Sequence, residues 1–352
     1  MSPYFSQRYQ DLKAYTPGEQ PKQRKYIKLN TNESPFPPAP GVRERVAEEV
    51  QRLNLYSDPE SSLLRQKLAE GLGIGAENLI MTNGSDEALN YAFMAFCDED
   101  RPAVFPDITY GFYPVFARIN RLPFQEIPLT ADFRIDPRDY DGIPGTLFLA
   151  NPNAPTGLAL GLEVIEDLLK RRKEHILVVD EAYVDFGGES AVKLIHRYEN
   201  LIVTRTFSKS RSLAGLRLGF AAAAPERIQE MKTMQYSTNP YNVDRLAQAA
   251  GIACLEADEY NLENVKKVCE TRSWTQARLE EMGFEMTDSR TNFLFVRHSA
   301  FPGSRLRDAL REKGILIRWF DQERIRDWSR ITIGAQEEME TLVHAVQQLL
   351  EE

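Results

Sequence analysis

Lys209 lies in the run Thr206-Phe207-Ser208-Lys209-Ser210-Arg211-Ser212-Leu213-Ala214-Gly215-Leu216-Arg217-Leu218-Gly219. Hydroxyls flank the lysine, Arg217 follows eight residues on, and two glycines sit close by. A lysine ammonium turns nucleophilic only when its surroundings lower its pKa or when it is converted to an imine. Hydroxyls beside an arginine suit a phosphate monoester, which takes charge-assisted hydrogen bonds. The phosphate-bearing aldehyde that condenses with lysine is pyridoxal phosphate. A surface lysine before a turn would account for a lone Ser-Lys pair, but poorly for the segments that accompany this one.

Three other segments carry groups that such a cofactor uses, and each follows an apolar run read as a strand. In open α/β sheets, ligands bind beyond the carboxyl ends of the strands. Thr82-Asn83-Gly84-Ser85-Asp86-Glu87 is the first. Gly84 permits a tight strand-to-helix turn, after which the Ser85 and Asp86 amides face an anion at a helix N-terminus. Ser85 or Asp86 could equally be a plain helix cap. Asn151-Pro152-Asn153-Ala154-Pro155-Thr156-Gly157 makes a rigid turn in which an asparagine can donate to a ring oxygen, or simply form the turn. Asp180-Glu181-Ala182-Tyr183 closes the apolar run Ile176-Leu177-Val178-Val179. An isolated carboxylate is costly there and wants a cation, such as a protonated pyridine nitrogen. Tyr183 could bond the phenolic oxygen of the same ring; the alternative is Asp180 capping the next segment. Tyr110, in Thr109-Tyr110-Gly111-Phe112-Tyr113, offers an aromatic face or fills core.

The elements that must hold these groups read as short apolar strands alternating with helices. Strands are expected at 79–82, 103–105, 146–150, 176–180 and 201–204. Helices are expected over 42–53, from a Ser61 or Ser62 cap through Leu72, from about Ser85, over 110–119 and over 162–172. This pattern predicts an α/β fold with a mainly parallel sheet flanked by helices. After residue 243 it changes to helices over 246–257, 259–282, 305–313 and 337–350, with strands at 293–296, 315–317 and 330–333. The expected division is an N-terminal arm over 1–40, a large cofactor-binding domain over 41–243 and a small α+β domain over 244–352. The arm either joins the small domain or crosses to a partner.

The 352 residues, 42% of them hydrophobic, suffice for a sizeable core. A net charge of −9 argues against a nucleic-acid surface, so a phosphate site must be built locally. Neither a membrane span nor a signal-peptide core is visible. Cys97, Cys254 and Cys269, odd in number and widely spaced, fit reduced thiols in a cytoplasm. His175, His196, His298 and His344 lack metal-ligand spacing, and no metal is expected.

Taken together and in this order, the segments resemble the fold-type I pyridoxal-phosphate aminotransferases, over nearly the whole chain. The resemblance narrows to the histidinol-phosphate aminotransferase family through Tyr15-Thr16-Pro17-Gly18, Leu29-Asn30-Thr31-Asn32-Glu33-Ser34-Pro35 and Tyr56-Ser57-Asp58-Pro59. Tyr241-Asn242-Val243-Asp244, Gly314-Ile315-Leu316-Ile317-Arg318 and Arg330-Ile331-Thr332-Ile333-Gly334 are similar as well. It implies transamination between L-histidinol phosphate and 2-oxoglutarate in histidine biosynthesis. Aromatic or broad-range aminotransferases and a phosphothreonine decarboxylase share the scaffold and remain alternatives. By the same resemblance, Lys209 holds the cofactor and moves a proton between Cα and C4′, Asp180 keeps the pyridine nitrogen protonated, and Tyr183 bonds the phenolic oxygen. Gly84, Ser85, Asp86, Thr206, Ser208 and Arg217 form the phosphate site, and Tyr110 stacks on the ring. Tyr56 is similar to a tyrosine that the family reaches across a homodimer interface. Arg330 is similar to the arginine that clamps an α-carboxylate, and Arg318, Tyr15, Asn32 and Tyr241 line the substrate pocket. Where the family often has asparagine before Pro-Thr-Gly this chain has Ala154, so the ring-oxygen contact is placed on Asn153.

Overall fold

The computed structural model describes the chain except residues 1, 3, 11, 21–24 and 352, so part of the arm lies outside the described residues. The central apolar runs pair into a seven-stranded sheet. Its order is Leu79–Asn83, Leu218–Ala223, Leu201–Thr206, Leu177–Asp180, Thr146–Ala150, Ala103–Pro106 and Phe124–Ile127. Leu218–Ala223 runs antiparallel to both neighbours, and the other pairings are parallel. Side chains alternate between faces, so Leu147, Leu149, Val179 and Val203 enter one core while Phe148, Val178 and Ile202 enter the other. Helices cover both faces, which is why these strands are continuously apolar.

Two strands of this sheet and one helix packed against it lie outside the expected elements. Phe124–Ile127 is an edge strand whose Gln125 and Glu126 are exposed, so it carries no apolar run. Leu218–Ala223 is mostly glycine and alanine, residues depleted in strands. Pro225–Thr238 is the missing helix. The helix Val42–Val50 stops short of Leu53, which is exposed. The helix Ser62–Leu72 is not capped by Ser61 or Ser62. Asp58 accepts instead from the Ser62 N–H at 2.8 Å and the Glu60 N–H at 3.0 Å, while Ser61 is left-handed and makes no cap bond.

A smaller antiparallel sheet follows the order Arg318–Trp319, Trp328–Thr332, Phe293–Arg297 and Glu285–Met286. Helices Gly303–Glu312 and Gln336–Glu351 pack on it around Leu294, Val296, Leu310, Ile331 and Leu342. The arm joins this body: Ile27–Lys28 pairs in parallel with Ile315–Leu316, and Leu29 is buried in the same core. The expected change of body at 243/244 meets a different arrangement. Helix Arg245–Glu256 packs on Val42–Val50 and Ser62–Leu72, and buries Ala247, Ala250 and Cys254 in the large-sheet core. The chain passes to the small body along the helix Asp258–Glu281, whose Val268 and Leu279 enter the small core. Among the described residues no helix is long and apolar enough to cross a membrane.

Candidate active site

The carboxyl ends of the parallel strands face the small sheet across a cavity of about 450 Å³. Lys209 lines it from the loop after Leu201–Thr206. Its Nζ donates to Thr31 O at 3.3 Å and lies 5.8 Å from the Tyr183 ring centroid. Desolvation, aided by the Arg330 cation, pulls the Lys209 ammonium down to about 8, against the opposing pull of Glu33 and Asp86.

Asp180 ends its strand and is buried. Tyr113 OH donates to Oδ2 and Thr204 Oγ1 to Oδ1, both at a long 3.3 Å. Burial, with the Asp86 charge second, pushes its carboxyl up to about 7. The short helix that follows, Val184–Phe186, begins after Tyr183, so Asp180 does not cap it. A deep carboxyl with only two weak side-chain donors beside the Ala182 N–H fits a ligand atom that carries a proton and positive charge. Tyr183 packs edge-on against Phe293, and its hydroxyl accepts from Asn32 Nδ2 at 2.9 Å.

A second group of residues converges at the other end. Helix Gly84–Phe96 starts after Asn83 with no side-chain cap, so Ser85 and Asp86 lie within its first turn rather than capping it. Gly84 has φ 75°, and a Cβ there would stand 2.6 Å from Arg217 Nη2. A Cβ on Gly219 would stand 2.5 Å from Ser85 N. The two glycines let strand, turn and guanidinium close on one point. Thr206 Oγ1 and Ser208 Oγ are 2.9 Å apart, Arg217 Nη1 reaches Ser208 Oγ at 3.4 Å, and Arg217 Nη2 reaches Asp86 Oδ2 at 3.2 Å. Tyr110 OH donates to Asp86 Oδ1 at 2.7 Å. Hydroxyls, a guanidinium and a helix N-terminus are the groups that suit a phosphate. These groups, the lysine and the deep carboxyl share one cavity, as pyridoxal phosphate requires of its phosphate, aldehyde and ring nitrogen.

On the small-sheet side, Arg318 and Arg330 stand directly opposite each other in an antiparallel pair. Arg318 Nη2 donates to Thr16 O at 3.0 Å and Arg330 Nη2 to Asn30 O at 3.1 Å. The buried Nε–H of Arg330 meets no acceptor among the described residues. Like charges opposite each other destabilise a sheet pair, and burial further disfavours the Arg330 cation. An anionic ligand reverses both penalties. Tyr15 closes this side, its ring 4.4 Å from that of Phe112.

Two expected contacts, at Asn153 and Tyr241, are not made here, and Tyr56 was expected to act across a subunit interface. Asn153 does not reach the cavity: its Nδ2 donates to Ile108 O at 3.0 Å and Thr156 Oγ1 at 2.9 Å, and its Oδ1 accepts from Thr109 at 2.8 Å. Ala154 lines the cavity in its place, so the ring-oxygen contact at Asn153 is withdrawn. Tyr56 and Tyr241 stack on each other at 4.4 Å, exposed and away from their own chain's cavity lining. Conversely, Thr204 and Tyr113 escape the sequence reading. Strand pairing places Thr204 beside Asp180, and Tyr113 lies three residues beyond Tyr110 at the start of a helix. Arg324 was equally invisible. It pairs with Asp107 and donates to Leu129 O at 2.8 Å and Thr130 O at 3.0 Å, tying the small body to the large beside Gln322 and Ile325.

The family described as aminotransferase class I and II matches residues 24–349. The chain is 44% identical over 352 residues to a histidinol-phosphate aminotransferase of Brachyspira hyodysenteriae, covering 99% of each. It is 46% identical over 348 residues to that of Chromohalobacter salexigens, again over 99% of each. The crystal structure of histidinol-phosphate aminotransferase from Sinorhizobium meliloti in complex with pyridoxal-5'-phosphate superposes with a TM-score of 0.89 at 24% identity, covering 99% of each chain. At that identity the likeness is one of fold.

Proposed function

Because the chain belongs to aminotransferase class I and II, and within it to the histidinol-phosphate aminotransferases, we infer that it transfers the amino group of L-histidinol phosphate to 2-oxoglutarate. The products are imidazole-acetol phosphate and L-glutamate, and the step serves histidine biosynthesis. Its fold is that of the fold-type I aminotransferases, and its cofactor is pyridoxal phosphate. The observation that carries the substrate reading is Arg318 opposite Arg330, each bonding a backbone carbonyl, on the wall of the cavity that Lys209 lines.

When bound, pyridoxal phosphate supplies an aldehyde and an electron-accepting ring. The residues around it have separate tasks. Lys209, partly neutral near pH 8, takes and returns the proton at the substrate Cα. Asp180 holds a proton on the pyridine nitrogen, and Tyr183 bonds the phenolic oxygen. The Ser85 and Asp86 amides, Thr206, Ser208 and Arg217 hold the phosphate, with Gly84 giving the turn its room, and Tyr110 lies against the ring. Arg330 takes the α-carboxylate of glutamate, a group that histidinol phosphate lacks. Arg318 takes the substrate phosphate, with Tyr15 and Asn32 completing the wall.

Two half-reactions test this. A charge-assisted bond to a desolvated anion contributes about 1.5–3 kcal/mol, roughly one to two decades of affinity. Arg318→Ala should weaken histidinol phosphate more than glutamate, and Arg330→Ala should weaken glutamate at least as much. Small, equal effects on both, together with faster turnover of phenylalanine or phosphothreonine than of histidinol phosphate, would favour a general aminotransferase or a decarboxylase.

We further propose a cytoplasmic homodimer with shared sites. Exposed Tyr56 and Tyr241 stack on each other, and Val50, Leu53, Leu55 and Leu63, close to Tyr56 in sequence, are likewise all more than a third exposed. Tyr56 would reach the partner's phosphate cradle, with Tyr241 stacked behind it. Mixing Lys209→Ala subunits with Tyr56→Ala subunits should restore activity, since heterodimers carry one intact site. An active monomer in sedimentation at assay concentration would exclude sharing. The cytoplasmic placement rests on three free thiols, two of them buried, and fractionation into an oxidising compartment would overturn it. We divide the molecule into the arm over 1–40, a large domain extending through helix Arg245–Glu256, and a small domain reached along Asp258–Glu281.

A further inference from the structure

The Tyr183 hydroxyl bonds the side-chain amide of Asn32, at 2.9 Å. An amide N–H only donates, so the tyrosine oxygen accepts and its own proton is left for another acceptor. Thr332 sets the orientation of that amide: its Oγ1 accepts from the Asn32 backbone N–H at 3.0 Å and donates to Asn32 Oδ1, also at 3.0 Å. Asn32 O accepts from Asn292 Nδ2 at 3.0 Å. The residue is 1% exposed and left-handed, with φ 55°, a conformation costly for most side chains and tolerated by asparagine. Thr332 and Asn292 thus hold Asn32 in a strained buried position, its amide aimed at one hydroxyl.

The opposite wall explains what that hydroxyl is needed for. Ala154 presents a methyl group to the cavity, and the Asn153 amide is spent on Ile108 O and Thr156. The turn over 151–157 therefore brings no side-chain donor to a ring oxygen from these two positions. We propose that Asn32 is a positioning residue that holds the Tyr183 hydroxyl as a donor to the cofactor's phenolic oxygen. This rests on the Tyr183 assignment above. A donor on the phenolic oxygen favours its anionic form and so competes with the proton of the adjoining lysine–cofactor linkage. Losing the donor lets that linkage hold its proton to higher pH.

The test is a spectroscopic pH titration of the visible band of the holoenzyme, without substrate. Tyr183→Phe should raise the midpoint by about one pH unit or more, on the order of one charge-assisted hydrogen bond. Asn32→Ala should raise it in the same direction by a large part of that shift. In the Tyr183→Phe background, Asn32→Ala should add nothing, because it acts through the missing hydroxyl. Equal Asn32→Ala shifts in both backgrounds, or no shift in either, would overturn the proposal. An unmoved midpoint in Tyr183→Phe itself would instead remove the Tyr183 assignment, and the inference with it. If Asn32→Ala does not fold, Thr332→Val frees the amide to turn over. A smaller rise confined to the Tyr183 background supports the proposal, and no rise overturns it.

Discussion

Lys209→Ala should still take up pyridoxal phosphate but turn over at least about 10²–10⁴-fold more slowly, the range that a positioned acid–base group supplies. Binding survives because the phosphate cradle is separate from the lysine, built from the Gly84 turn, Thr206, Ser208 and Arg217. Catalysis fails because, among the described residues, no other lysine lines the cavity. With its pKa lowered to about 8, much more of Lys209 is neutral near neutral pH than of an unperturbed lysine. The shift comes first from burial, and the Arg330 cation adds to it. Borohydride treatment of the native holoenzyme should abolish the visible band and fix the cofactor to Lys209, as mass spectrometry of a peptide digest would show. Native-rate transamination by Lys209→Ala, or cofactor fixed elsewhere, would refute the assignment.

Asp180→Asn should move activity and stability in opposite directions. The substitution keeps shape and removes the charge, its amide nitrogen can no longer accept from one of the two hydroxyls that face it, and it cannot hold a proton on the pyridine nitrogen. The half-reaction rate at saturating cofactor should fall by about 10²–10³-fold, the loss of roughly 3–4 kcal/mol of charge stabilisation. The cofactor-free protein should gain stability. In the folded chain the Asp180 carboxyl is raised to about 7, whereas the unfolded chain ionises near the ordinary value of 3.8. Between those limits the unfolded state binds fewer protons, so this group lowers stability as pH rises from about 4 to about 7. Above that window the penalty is constant, and at most about 4 kcal/mol. Thermal melts of apo Asp180→Asn should lack this fall and exceed the native apo protein at pH 8. With cofactor bound the order should reverse. A variant with a normal saturated rate and merely weaker cofactor binding would make Asp180 a structural residue.

How much of this was legible depends on where each signal resides. The lysine run, the Gly84 turn and the Asp180 strand end are each contiguous, so chemistry and geometry are written within a few residues. The same holds for the parallel strands, whose burial on two faces leaves an unbroken apolar run. Phe124–Ile127 and Leu218–Ala223 were not legible, because an exposed edge and an alanine-rich strand lack that run. Asn153 was misplaced for a related reason. Residue type alone cannot tell which of two adjacent turn residues faces the cavity; the hydrogen bonds that Asn153 gives to Ile108 O and Thr156 and takes from Thr109 settle that.

By itself the sequence determined the α/β class, the order of the parallel strands and the cofactor. Local residue types impose these through strand burial, turn conformation and charge. Only the tertiary structure decided that Arg318 lies opposite Arg330, that Thr332 and Asn292 clamp Asn32 onto Tyr183, and that helix Arg245–Glu256 belongs with the large sheet. Those relations join residues up to 300 positions apart, such as Asn32 and Thr332. No local preference encodes them: they exist only once two sheets and the arm are packed, when each buried polar group must find a partner and each apolar face a cover.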